Sequence, residues 1–506
     1  MEINTFNSTY RKRVAVIQTS VEQKIDSDNV NIGKIICVNA NVNLDNIEML
    51  NGEAYYNGVV TFDSLYTDEQ GNLLVNQSTT DLNGKITDES INANMLPVYK
   101  AEIVNVTISN ATSNGFRVNA SVEITLDAFV DDSVSSYEST SETIKTKKET
   151  VNVFNLKTNG SSSFNINSDV ELKSNDLNVL FKNASVCVKD VKSGTGYFTL
   201  EGDLNFDTCY EMGEEDNKTV KCFRECVPFK EEIEVQDLTK EDTTCVMTNL
   251  RPDDFNVTVT TNQDGKAVMT VSAKVGVKYF VLSHSEREIT VDAYSTTNNL
   301  NLISESFKYT KCIQSICENK TIDCDLTLQE EQKRISKILF VCGETVNVTN
   351  SYIQDDKLSV EGIISANIVY LSDDDNEEVC SAVIENPFKV EIVDDLCKTD
   401  NIFVKTCIKE CNYHAKRGKE ISLEFELTIK ADIYDTEDGS YLKDVEIAEE
   451  YQKSQYSLQI FFAPTNSDAW EIGKQLHCDE SEIEKQNPDL QFPLSKPEQI
   501  VYFIQK

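Results

Sequence analysis

One pattern occurs three times in this 506-residue chain, and it is the pattern of a β-strand. Asn57-Gly58-Val59-Val60-Thr61-Phe62-Asp63-Ser64-Leu65-Tyr66 is answered first by Glu201-Gly202-Asp203-Leu204-Asn205-Phe206-Asp207-Thr208-Cys209-Tyr210. It is answered again by Glu361-Gly362-Ile363-Ile364-Ser365-Ala366-Asn367-Ile368-Val369-Tyr370. Each copy sets a glycine eight residues ahead of a tyrosine, and an acidic turn follows: Thr67–Gly71, Glu211–Asp216 and Ser372–Asn376. Self-similarity of this kind reads as a tandem array of one unit.

More of the unit stays in register. Pro228-Phe229-Lys230 in copy two matches Pro387-Phe388-Lys389 in copy three, while copy one has the weaker Leu82-Asn83-Gly84-Lys85. Each copy then closes on a long stretch of period two. Its apolar face is Phe116, Val118, Ala120, Val122, Ile124 and Leu126 in copy one, and Ala267, Met269, Val271, Ala273, Val275 and Val277 in copy two. In copy three it is Ile421, Leu423, Phe425, Leu427, Ile429 and Ile433. Such alternation buries one face of an antiparallel sheet, and a slip of one residue would turn that face to water. Gly58, Gly202 and Gly362 read as points where a strand bends or a backbone passes close. Tyr66, Tyr210 and Tyr370 read as rings buried with their hydroxyls on a polar neighbour.

The pattern predicts a mainly β fold, with three tandem β-rich repeat domains over residues 1–130, 147–310 and 322–435. The polar stretches Asp131–Thr146 and Thr436–Ser454 read as connectors, and Leu326–Lys337 as a short amphipathic helix. The last fifty residues differ. Leu458–Ala463 reads as a strand, Asp468–Leu476 as a helix, and Asp479-Glu480-Ser481-Glu482 as a capping box opening a second helix. That helix ends near Asn487-Pro488, because proline disfavours helical geometry in the residue before it. Gln499–Ile504 supplies a final strand, giving a small C-terminal βααβ module over 455–506. So small a unit has little core, and Trp470, the only tryptophan, is expected to anchor it.

Charge narrows the partners. Against 47 Lys+Arg stand 85 Asp+Glu, a formal net charge of -38. Nucleic acid and anionic membrane need a positive footprint, so neither is an expected partner. The N-terminus lacks a basic region followed by an apolar run, and no run is long enough to span a bilayer, so a cytoplasmic protein is expected. In that reducing compartment a disulfide framework is not expected from the 15 cysteines, which read as small hydrophobes. The closest pairs, Cys222/Cys226, Cys312/Cys317 and Cys407/Cys411, lack zinc-site spacing, and His284, His414 and His477 are scattered. No nucleophile elbow, metalloprotease or phosphate-loop motif is present, and Asp373-Asp374-Asp375 lacks the spaced ligands of a calcium loop. The expectation is a protein that is not an enzyme, with no cofactor and no metal.

The C-terminal order resembles LysM, the small βααβ module known for binding peptidoglycan and chitin. Asp468, Trp470, Ile472, Glu482-Ile483 and Asn487-Pro488-Asp489 carry the likeness. Asn466-Ser467-Asp468-Ala469-Trp470 and Pro493-Leu494-Ser495-Lys496-Pro497 depart from it in the two loops that form the family's sugar groove. The three repeats are similar to SPOCS domains, found ahead of a C-terminal LysM module in a clostridial spore-coat morphogenesis family. That resemblance implies a mother-cell scaffold at the forespore surface, with LysM docking a coat-morphogenetic ATPase. Peptidoglycan binding is the alternative. The implied docking residues are Asn466, Asp468, Asn487 and Asp489, with Trp470 as their support.

Overall fold

The computed structural model describes residues 2–27, 30–171, 177–212, 219–261, 267–375, 377–394, 396, 399, 401–416, 418–452 and 458–503. Part of the acidic turn after copy two, Gly213 to Asp216, lies outside them, as do Asn376, Ser454 and Ile504.

The closing strands form as their alternation requires: all eighteen apolar residues named above are no more than 2% exposed. They are the inner halves of long strands that each pair with the first strand of their copy. Copy one comprises β1 (Glu2–Asp26), β2 (Ile32–Leu50), β3 (Glu53–Asp68), β4 (Leu73–Thr87), β5 (Leu96–Thr112) and β6 (Gly115–Glu138). One sheet has the order β1-β6-β5 and the other is the meander β2-β3-β4, all antiparallel.

Copy two repeats this with β7 (Ile144–Glu171), β8 (Leu177–Ser193), β9 (Tyr197–Met212), β10 (Thr219–Glu234), β11 (Thr243–Asn249), β12 (Phe255–Thr261) and β13 (Ala267–Ser295). Here the fifth strand is split by a short 3₁₀ turn, Pro252–Asp254, because proline has no N–H to give the ladder. Copy three comprises β14 (Asn298–Thr327), β15 (Ile335–Gln354), β16 (Lys357–Ser372), β17 (Val379–Val393), β18 (Ile402–Ala415) and β19 (Glu420–Glu450).

Pairing draws different boundaries from those expected. The stretch from 298 to 310, assigned to copy two, belongs to β14 and pairs with β19 of copy three. Both supposed connectors are largely strand: Asp131–Glu138 finishes β6, and Thr436–Glu450 finishes β19. These outer halves read as linkers because ribbons touching along a narrow line bury few residues each. Phe6 and Val134, Val153 and Ile289, and Phe307 and Tyr441 come from the three ribbons and form one cluster. Nor is Leu326–Lys337 a helix. Its polar composition suits one, but β14 runs to Thr327, a turn follows, and β15 starts at Ile335.

The meanders make the second contact between copies. In β3, Val60, Phe62 and Tyr66 face their own sandwich, while Thr61, Asp63 and Leu65 face the other copies, so both faces are buried. Leu65, Cys209 and Val369 each precede the shared tyrosine, and Cys37, Phe181 and Phe340 lie opposite them in register. All six sit in one cluster, so equivalent positions of the three copies converge around a pseudo-threefold axis.

Candidate functional site

The glycines and tyrosines of the repeat are architectural. Gly58, Gly202 and Gly362 pair with Leu44, Val188 and Val348, immediately before a bulge in each partner strand. A side chain there would run into the carbonyl oxygen of Asn43, Cys187 or Asn347. Phe229 and Phe388, from the Pro-Phe-Lys element, lie across from Gly202 and Gly362 and cover them; Leu82 takes that place in copy one. Tyr370 donates to the Lys333 carbonyl at 3.2 Å, Tyr66 packs edge-on against Phe116, and Tyr210 is half-buried.

Five residues beyond each glycine, the motif carries a polar residue on the inter-copy face: Asp63, Asp207 and Asn367. Around the axis these make a closed chain of contacts. Asp63 accepts from Asn183 of copy two and from Gln77 at 2.7 Å. Asp207 pairs with Arg224, which reaches Glu344 of copy three at 2.9 Å. Asn367 donates to Asn39 of copy one at 2.6 Å. Burial pushes the Asp63 carboxyl up to about 6, with the Asp207 charge adding to it against the donors from Asn183 and Gln77. Burial likewise raises Glu344, although the Arg224 charge opposes it. A polar residue recurring inside a core strand was the available signal for this junction.

The cysteines depart from expectation at one point. Cys209 and Cys222, on adjacent positions of β9 and β10, form a disulfide, and twelve further described cysteines are free. Alternation brought the two side chains onto one face, which sequence separation alone does not reveal. Among the described residues no group of His, Cys, Asp and Glu is placed to hold a metal ion.

The C-terminal unit consists of β20 (Leu458–Ala463), α1 (Ala469–Leu476), α2 (Glu480–Gln486) and β21 (Glu498–Phe503), with β20 antiparallel to β21. Asp468 caps α1 by accepting from the Glu471 N–H at 2.7 Å. Asp479 caps α2, accepting from the Ser481 N–H at 3.0 Å. The capping box is half made: the Glu482 carboxylate accepts from the Tyr502 hydroxyl at 3.0 Å, so it serves the sheet. The core is Ala463, Ile472, Cys478, Ile483, Leu494, Ile500 and Tyr502.

Trp470 is not in that core. It is buried edge-on against Tyr294 of copy two, with ring centroids 4.8 Å apart, and its Nε1–H donates to Asp292 at 2.9 Å. The expected anchor of the unit is thus a wedge between the unit and the end of the β7/β13 ribbon. Around it Lys474 donates to Asp292 at 2.6 Å, and the Tyr294 hydroxyl donates to the Cys478 carbonyl at 2.9 Å. His477 Nδ1 lies 2.7 Å from the Ser295 carbonyl, and its ring stacks on Tyr451. Lys145 and Lys147 pair with Asp479 and Asp468 at 2.5 and 3.3 Å. Burial alone would raise the Asp292 carboxyl, but Lys474 and the Trp470 N–H outweigh it and hold it below its ordinary value.

The four loop residues therefore divide. Asp468 is a half-exposed cap already paired with Lys147. Asn487 is buried rather than exposed, donating to the Ile483 and Val501 carbonyls and accepting from the Val501 N–H at 2.9 Å. Asn466 and Asp489 are exposed, Asn466 with a positive φ of 68°. Sequence reading missed Asp292, Tyr294, Lys145 and Lys147, of which Lys145 falls in a stretch taken for a connector and the rest beside no motif.

A family model described as SipL, SPOCS domain matches residues 177–260 and 334–416. These windows span β8 to β12 of copy two and β15 to β18 of copy three, leaving the long outer strands outside. The chain is a protein of tandem SPOCS domains. In those two stretches it is similar to the SPOCS domain of SipL. No curated protein and no solved structure matches it. No helix among the described residues is long and apolar enough to cross a membrane.

Proposed function

We propose that this chain is a non-enzymatic adaptor of spore-envelope assembly on the mother-cell side of the forespore. In this reading the C-terminal unit is a LysM-like module that docks a coat-morphogenetic ATPase. The three repeats form one rigid platform that carries the module and braces other components. The observation that supports it most is the order of parts: SPOCS domains recognised in two copies, then a βααβ unit seated on the platform through α1 and the turn after it. With Asp468 and Asn487 engaged inside the molecule, Asn466 and Asp489 are the loop positions left for a partner.

Affinity capture from sporulating cells tests the reading, using the full chain beside a chain lacking residues 455–506. Recovery of an ATPase by the full chain alone is expected. Equal recovery by both chains would remove the module from the docking role, and sedimentation with peptidoglycan in the absence of a protein partner would replace docking with glycan binding.

A further inference from the structure

Three cavities lie between the copies and share walls: Arg224 and Glu344 line the first and second, and Lys100 and Lys405 line the second and third. The third, about 320 Å³, differs in charge from the rest of this acidic protein. Three lysines, Lys100, Lys278 and Lys405, line it against one carboxylate, Asp45.

Two of those amines make no ion pair among the described residues, although Asp45 acts on Lys278 from a distance. Lys100 is neutralised by Glu102 at 3.0 Å, and Asp45 is taken by Arg251 at 2.6 Å. Among the described residues Lys278 bonds the neutral Asn46 amide oxygen at 2.6 Å and the Tyr99 hydroxyl at 3.2 Å. Lys405 has no hydrogen-bond or ion-pair acceptor among the described residues, and its amine lies 5.5 Å from the Phe403 ring. Its surroundings add positive charge. The Arg11 guanidinium sits 4.2 Å over the same ring and is spent on Asp127, while the cross-strand partner of Lys405 is Lys430, 9% exposed and without an ion pair among the described residues. Burial pushes the Lys405 amine down, with Asp432 opposing and Lys430 and Arg11 adding to the fall. An ammonium withdrawn from water without an anion is costly.

We propose that this inter-repeat cavity binds a small organic anion, its carboxylate or phosphate held by Lys405 and Lys278. Lys278 belongs to copy two and Lys405 to copy three, so binding ties those copies together.

Isothermal titration of the full chain with glycerol 3-phosphate and, separately, malate distinguishes the two anion sources; sodium chloride at matched ionic strength and glycerol are the controls. Binding of at least one of the two anions is expected, at one site per chain and weakened at least tenfold by Lys405→Met, which keeps the stem and removes the charge. Lys278→Met, an independent variant of the same wall, is expected to weaken it similarly. The proposal is overturned if neither anion binds, if binding survives unchanged in whichever variant folds, or if sodium chloride gives the same heat.

Discussion

The two junctions of this molecule are built in opposite ways. Where the copies meet, equivalent residues of all three, Leu65 with Cys37, Cys209 with Phe181 and Val369 with Phe340, form an apolar cluster threaded by a buried polar chain. Where the C-terminal unit meets the platform, copy two supplies Asp292, Tyr294, Ser295, Lys145 and Lys147, Tyr451 just beyond β19 adds a stacked ring, and most of the contacts are hydrogen bonds or ion pairs. A junction made of buried apolar area joins parts into one folding unit, whereas one resting on half-exposed charges can be released without unfolding either side. The unit has its own seven-residue core, which such release requires.

The contrast is open to attack at its strongest point first. Phe340→Ala removes a ring 1% exposed at the axis, and is expected to cost about 3–5 kcal/mol. Chemical denaturation followed by circular dichroism should show the whole platform losing stability. If only copy three weakens, the copies are not one unit. Trp470→Ala is expected to cost the docked state about 2 kcal/mol or more, as for a central aromatic anchor, and to leave the βααβ unit folded. Limited proteolysis should then release an intact C-terminal fragment; a fragment degraded on release would return Trp470 to the role of internal anchor.

Acid should act on the two junctions with opposite signs. The Asp63 carboxyl is raised to about 6, so the folded state favours its neutral form. Its contribution to stability is fully present below the ordinary aspartate range and is lost as pH rises through about 6. Asp63→Asn is therefore expected to stabilise the platform at pH 7 by about 1–3 kcal/mol and to flatten its pH dependence between about 4 and 6. Urea midpoints across that range read the effect, and a variant less stable at pH 7 would contradict the sign. Asp292 is depressed, so its contribution is present above the ordinary aspartate range and is lost as pH falls through its lowered value. Docking should weaken in acid while the junction tightens. The emission of Trp470, the only tryptophan, reports this as a red shift on release.

Smallest is Lys147→Ala, which removes a half-exposed pair and is expected to cost about 0.2–1 kcal/mol, shrinking further in high salt. A larger, salt-independent loss would mean that the pair is more shielded than its exposure indicates.

The closing strands were legible because burial against a sandwich demands an apolar residue at every second position, and Phe116 to Leu126 supply it without a break. The repeated glycines were legible for the same reason: a bulge in the partner strand leaves no room for a side chain, and three copies carry the same exclusion. The outer ribbons were not. Val134 and Tyr137 are set among Ser, Asp and Glu, and much of what covers them comes from other copies, so no local period announces them. Leu326–Lys337 misled because helical composition is a weak preference that strand pairing on both sides overrides. Trp470 was rightly read as buried and wrongly given its partner.

The sequence by itself determined the repeating unit, the register of each closing strand and the place of each tight backbone contact, since these follow from the alternation and the volume of neighbouring residues. Only the tertiary structure decided that three copies close around an axis, that their polar positions meet as Asp63–Asn183, Arg224–Glu344 and Asn367–Asn39, and that Trp470 faces Tyr294. Those pairings join residues more than a hundred positions apart, and what selects them is the shape of folded surfaces, which no local pattern encodes.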